Sequence, residues 1–142
     1  MGSPVKFKTI TAPSKEKFKY DKTKDNWSIH REGAAAPSGQ SAIEAVPILM
    51  GDEKKIDGAV MLGRAAASKC AGQHLAEYLL DHQGVIPNEL KGKILVFADT
   101  LWLDDSYLRV PFLSWDDGEW CLNFDYLDSV WDSDYMFVRL CA

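Results

Sequence analysis

Long hydrophobic runs are missing from this 142-residue sequence. The segment richest in small apolar residues, 57–83, is interrupted by Arg64, Lys69, Gln73 and His74, and no stretch approaches the roughly 18–20 residues that span a bilayer. Val5–Ile10 is broken by Lys6 and Lys8, so no secretory h-region opens the chain, and Lys6 also removes the N-myristoylation pattern. Cysteine is scarce. Cys70, Cys121 and Cys141 are odd in number and unrelated in spacing, which excludes a disulfide framework and points to a reducing, cytoplasmic setting. Phosphate-binding glycine loops, dinucleotide fingerprints, GxSxG and HExxH are all absent, so no cofactor is expected. The acidic clusters Asp104-Asp105, Asp116-Asp117-Gly118-Glu119 and Asp128 to Asp134 do not follow the spacing of a calcium loop. They read as turn residues, and no metal is expected.

What remains is ordinary globular composition, 46% hydrophobic and 26% charged, at a length suited to one domain over residues 1–142. The net charge of −5 conceals a polarity. Residues 1–31 carry eight basic against three acidic side chains, whereas residues 99–142 carry ten acidic against two basic. The simplest consequence is that the basic segment packs on the acidic one. The functional alternative is nucleic-acid binding through a basic N-terminal hairpin.

Periodicity gives the fold expectation. Residues 5–10 alternate apolar and basic, and 17–20 with 27–31 read as a hairpin, which makes 1–32 a set of basic strands. Residues 33–40 read as a mobile loop, and Ala45–Met50 as an edge strand or loop because of Pro47. A long helix is expected over about 57–83, capped by Asp57 and stopped by Gly84, with Val60, Met61, Ala71, Leu75, Tyr78 and Leu79 on one stripe. From about 93 to 141 the period becomes two, giving strands at 94–98, 107–113, 119–125 and 135–140 with a hairpin turn at Trp115–Gly118. The expected class is therefore α+β: one long helix packed on a mostly antiparallel sheet, with a C-terminal β-meander.

Alternation also sorts the side chains of that meander. Leu108, Val110, Phe112, Trp120, Leu122, Phe124, Met136, Val138 and Leu140 form the expected core face. The other face collects Tyr107, Arg109, Trp115, Asn123, Tyr135 and Arg139, a composition typical of interfaces and ligand sites, in which arginine can clamp a carboxylate or phosphate. Arg64, inside the helical stripe, needs either a partner or an anion. The leading expectation is a non-enzymatic binding protein that self-associates as a homodimer and offers this Arg/aromatic face to a partner or a small anionic ligand. The enzymatic alternative is a helix–sheet site in which Cys70, His74 and Glu77, spaced i, i+4 and i+7, supply a nucleophile, a base and a carboxylate.

Overall fold

The computed structural model describes residues 4–7, 10–12, 17–33 and 39–141, with 10–12, 39–41 and 141 described by backbone alone. In chain order the elements are β1 (Val5–Lys6), β2 (Ile10–Ala12), β3 (Ser28–Arg31), β4 (Gly39–Pro47), β5 (Lys55–Ile56), α1 (Gly58–Ala67), α2 (Gln73–Asp81), β6 (Ile94–Val96), β7 (Leu101–Asp104), β8 (Tyr107–Asp116), β9 (Glu119–Tyr126), β10 (Trp131–Asp132) and β11 (Tyr135–Cys141). Nine strands make one mixed sheet, while β5 and β10 form a separate two-stranded ribbon. None of the helices described is long and apolar enough to cross a membrane.

Two-residue turns set much of the register. Asp117 (φ 51°) and Gly118 (φ 86°) join β8 to β9 with both central residues left-handed, as a twisted hairpin requires. Asp105 (φ 58°) lies in the turn between β7 and β8. Strand β8 is the spine of the sheet. One of its edges pairs with β9, and the other is shared by β6 at residues 112–114 and β7 at 107–109. Between those two pairings residues 97–101 lie opposite only 110–111, so the chain must bulge out of the ladder there. Pro111 occupies that gap, where a missing N–H leaves no partner stranded.

The bulge splits the sheet. Strand β11 runs parallel to β6 at 135–137 and antiparallel to β4 at 136–141, on one side of the split. Strand β3 pairs with β7 on the other. The opening is filled by the link between the helices: Ala71 N–H donates to Val138 O (2.8 Å), and Asp99 N–H donates to Ala71 O (3.2 Å). Cys70 bridges to Arg139. The helices consequently lie on opposite faces. Leu75, Ala76, Tyr78 and Leu79 of α2 pack on Leu95, Leu113, Met136 and Val138, whereas Met61 and Ala65 of α1 pack on Val96, Val110 and Phe137. Adjacent strand residues such as Leu95 and Val96 point to opposite faces, so the chain passes through its own sheet between residues 68 and 72.

Four expectations are corrected by this arrangement. The single long helix over 57–83 is two short helices in a mostly sheet structure. Helix α1 ends at Ser68 and Lys69, where Cys70 N–H reaches back to Ala65 O (2.9 Å) and Lys69 N–H to Ala66 O (3.2 Å), the double bond of a Schellman stop. The C-terminal meander is interrupted: β11 leaves β9 and inserts between β4 and β6, and Leu101–Asp104 forms a strand that the alternation did not reveal. The N-terminal hairpin does not form, because β3 pairs with β7 while 17–20 docks on α2. The Pro47 segment is part of the nine-residue β4, with β1 and β2 on one edge and β11 on the other. Residues 34–38 of the expected loop lie outside the described residues.

Candidate functional site

The split in the sheet leaves a cleft of about 400 Å³, beside the crossing. Its walls come from both helices and both halves of the sheet: Leu62, Ala65 and Ala66 from α1, Leu75 from α2, Ala98 and Leu101 from the bulge. Cys70, Ala71 and Gly72 form the crossing segment along it, and Leu140 closes one side. The interior is apolar, built from leucines and alanines with Cys70 and Gly72. Charge is confined to Arg31, Asp99 and Lys69, with Arg31 Nη2 2.8 Å from Asp99 Oδ1. The volume falls in the range of small-molecule sites, which combine apolar walls with a few polar groups.

The cleft is held open by a buried polar frame. Thr100 Oγ1 accepts from Gln73 N–H (2.8 Å) and donates to Glu32 O (2.7 Å), tying the bulge to the start of α2 and to the end of β3. Trp102 Nε1–H donates to Gln73 Oε1 (2.7 Å), and Gln73 Nε2 donates to Tyr20 O (2.8 Å) and Glu77 Oε2 (3.0 Å). Glu77, fully buried, accepts the backbone N–H groups of Lys19 (2.9 Å) and Tyr20 (2.8 Å). Phe18 stacks on the buried ring of His74, 4.2 Å between centroids.

That frame accounts for the trio Cys70, His74 and Glu77. Cys70 is on the crossing segment and not on a helix, so the i, i+4, i+7 geometry does not hold. Its Sγ–H donates to Val96 O (3.3 Å) and its sulfur accepts from Ala98 N–H (3.4 Å). Burial pushes this thiol up to about 12, so it remains protonated and weakly nucleophilic near neutral pH. Glu77 serves backbone amides, and His74 packs against Phe18. Among the described residues no group of three His, Cys, Asp or Glu side chains could hold a metal ion.

The Arg/aromatic residues do not share one face. The register places Trp115 opposite Trp120 and Leu113 opposite Leu122. Odd residues of β8 therefore lie with even residues of β9, the reverse of the grouping that alternation within each strand suggests. Tyr107, Arg109 and Trp115 fall on the α2 face, and Asn123, Tyr135 and Arg139 on the α1 face. Arg109 is already enclosed: Nε and Nη2 bond Asp104 Oδ2 (3.1 and 2.9 Å), Nη1 bonds Phe124 O (3.1 Å), and Cζ is 3.7 Å from the Tyr126 ring centroid. Arg139 Nε bonds Glu44 Oε1 (2.8 Å), its cross-strand neighbour. Arg64 forms a fork with Glu53 (2.7 and 2.8 Å) and also reaches Ile48 O (3.1 Å). The Arg64 bonds hold the Glu53 carboxyl down at about 2. Tyr135 donates to Asp125 Oδ2 (3.4 Å), and burial with that neighbour pushes its hydroxyl up to about 12. Trp115 packs on Trp120 with Lys91 Nζ 3.9 Å from its ring, while Asn123 and Tyr107 are exposed. All three arginines thus have intramolecular carboxylate partners.

Three basic side chains of the N-terminal segment are similarly occupied. Lys19 pairs with Asp81 (3.1 Å), Lys22 with Asp25 (2.6 Å) and Arg31 with Asp99, which reduces its appeal to phosphate. Sequence reasoning missed Arg31, Lys69, Asp99 and Gly72 as neighbours. The available signal was the polar step Asp99-Thr100 inside an otherwise apolar run. Comparisons with protein-family models, curated proteins and solved structures gave no match.

Proposed function

We propose that this chain is a binding protein without a catalytic step, and that it takes a small molecule into the cleft at the split in its sheet. The observation that supports this is the cleft itself, about 400 Å³, walled by leucines and alanines with charge only from Arg31, Asp99 and Lys69. The three arginines of the original site expectation have internal partners, whereas the crossing creates a concavity that packing does not fill. The free thiols of Cys70 and Cys121 agree with a cytoplasmic setting.

The test is a thermal-shift screen of small metabolites on the wild type and on Ala66→Trp. Ala66 lines the cleft yet is exposed, so an indole there fills the space from outside without overpacking the core. A true ligand raises the wild-type Tm by several degrees at about 100 times its Kd, equivalent to about 2.7 kcal/mol, and leaves Ala66→Trp unmoved. A shift that survives in Ala66→Trp, or no shift with any compound, contradicts the reading.

One feature favours self-association as a second reading. Ile29, Tyr107 and Tyr126 are 41%, 57% and 42% exposed on the α2 face, and the two tyrosine rings meet edge-on at 5.7 Å. A homodimer using this row is expected to dissociate on Tyr107→Lys in size exclusion with light scattering. A wild-type monomer removes the reading.

A further inference from the structure

Two cavities meet at Lys69 and Leu140, and their chemistry differs. One is the apolar cleft. The other is a shallower hollow of about 410 Å³ lined by Lys6, Glu44, Ala67, Ser68 and Arg139 together with those two residues. The hollow gathers three cations around one carboxylate. Arg139 is bonded to Glu44, while Lys6 and Lys69 form no ion pair among the described residues. A surplus of positive charge therefore borders the open side of an apolar cleft.

The backbone at Lys69 bears on how the position can be tested. This residue holds φ 57° at the left-handed position of the Schellman stop, where glycine is the usual occupant because a Cβ is strained there. A non-glycine residue in this conformation is strained relative to glycine, so Lys69→Gly separates the backbone cost from the side chain's contribution. Here the side chain is the cation that lines both cavities.

We infer that the ligand is an amphipathic anion with a single carboxylate or phosphate head, held at Lys69 and Lys6, and an unbranched or flat apolar body in the cleft. The inference rests on the cleft reading and names the ligand class it takes. A polyanion fits less well, because Lys6 and Lys69 are the two lining cations without an ion pair among the described residues, while Arg31 and Arg139 are matched by Asp99 and Glu44. Apolar burial supplies most of the affinity, and the lysine supplies a charge-assisted bond that a neutral analogue lacks.

Titration calorimetry with octanoate, octyl phosphate, 1-octanol and acetate tests this on the wild type, Lys69→Gly and Ala66→Trp. Octanoate or octyl phosphate is expected to bind the wild type with a Kd on the order of 100 μM. Whichever of the two binds more tightly identifies the head group. Acetate is expected not to register, and 1-octanol to bind about tenfold more weakly than the anion. Lys69→Gly removes the head-group contact and relieves the strained backbone together. It is expected to melt about 2–5 °C higher than the wild type while binding the anion about tenfold more weakly and 1-octanol equally. Equal binding of anion and alcohol, or an unchanged anion Kd in Lys69→Gly, overturns the ligand class while leaving the cleft reading intact. Absence of binding by every probe, or anion binding undiminished in Ala66→Trp, overturns both.

Discussion

Glu77→Ala is expected to destabilise the fold by about 3 kcal/mol, the largest loss foreseen for a single substitution outside the apolar core. The carboxyl group is fully buried on α2 and accepts three hydrogen bonds, from the backbone N–H of Lys19 and Tyr20 and from Gln73 Nε2. Truncation leaves two backbone donors facing a cavity with no acceptor, and a donor stranded in this way costs more than an average hydrogen bond contributes. It also frees the 17–21 segment, which carries Phe18 onto His74 and Trp102. Glu77→Gln keeps the shape and one acceptor oxygen but turns an NH₂ toward the remaining donor, so about half the loss is expected. Urea unfolding followed by Trp fluorescence reads both, as a fall in midpoint with the slope unchanged. A Glu77→Ala protein within about 0.5 kcal/mol of the wild type, the range of ordinary surface changes, would contradict this role.

Gly72→Ala is expected to cost about 2 kcal/mol for a different reason. Gly72 has φ −112°, which any residue can adopt, so backbone strain plays no part. The conflict is steric: a Cβ there falls 2.5 Å from Thr100 Oγ1 and 3.4 Å from Thr100 N. Thr100 cannot rotate away freely, because its hydroxyl links Gln73 N–H to Glu32 O inside the protein. Alanine's lower unfolded-state entropy offsets only about 0.4–1 kcal/mol of this. A double-mutant cycle isolates the contact. Gly72→Ala is expected to cost less in a Thr100→Ala background, and an equal cost in both backgrounds would show that the clash is not with that hydroxyl.

These two positions show where the sequence was readable and where it was not. Strands β6, β8, β9 and β11 were legible because alternation reports which side of a strand is dry. Alternation treats each strand alone, however, and cannot align one strand's dry side with the next. The Asp117-Gly118 turn held that information: a two-residue loop pairs Asp116 with Glu119, which forces odd residues of β8 to lie with even residues of β9. That turn alone separates Arg109 from Asn123.

The helical stripe failed for a related reason. Met61 belongs to one face's core and Leu75, Tyr78 and Leu79 to the other's, yet a uniform count of 100° per residue placed them together. The count ran straight through 68–72, where no helix exists. Nothing local marks that crossing strongly, since a lysine stands where glycine would have advertised the stop. The cleft was illegible in consequence, because its walls meet only after the chain has passed through the sheet. Arg64 finds its partner in Glu53, from the turn before β5, which alternation and helical periodicity do not report.

The central claim is that the cleft beside the crossing is where this protein binds, and amide NMR mapping tests it most directly. Octanoate titrated into ¹⁵N-labelled protein is expected to move the amides of Ala66, Lys69, Cys70, Ala71, Gly72, Ala98 and Asp99, while Tyr107, Tyr126 and Asn123 stay still. Shifts centred on Tyr107 and Tyr126, or a spectrum that does not respond, would contradict it.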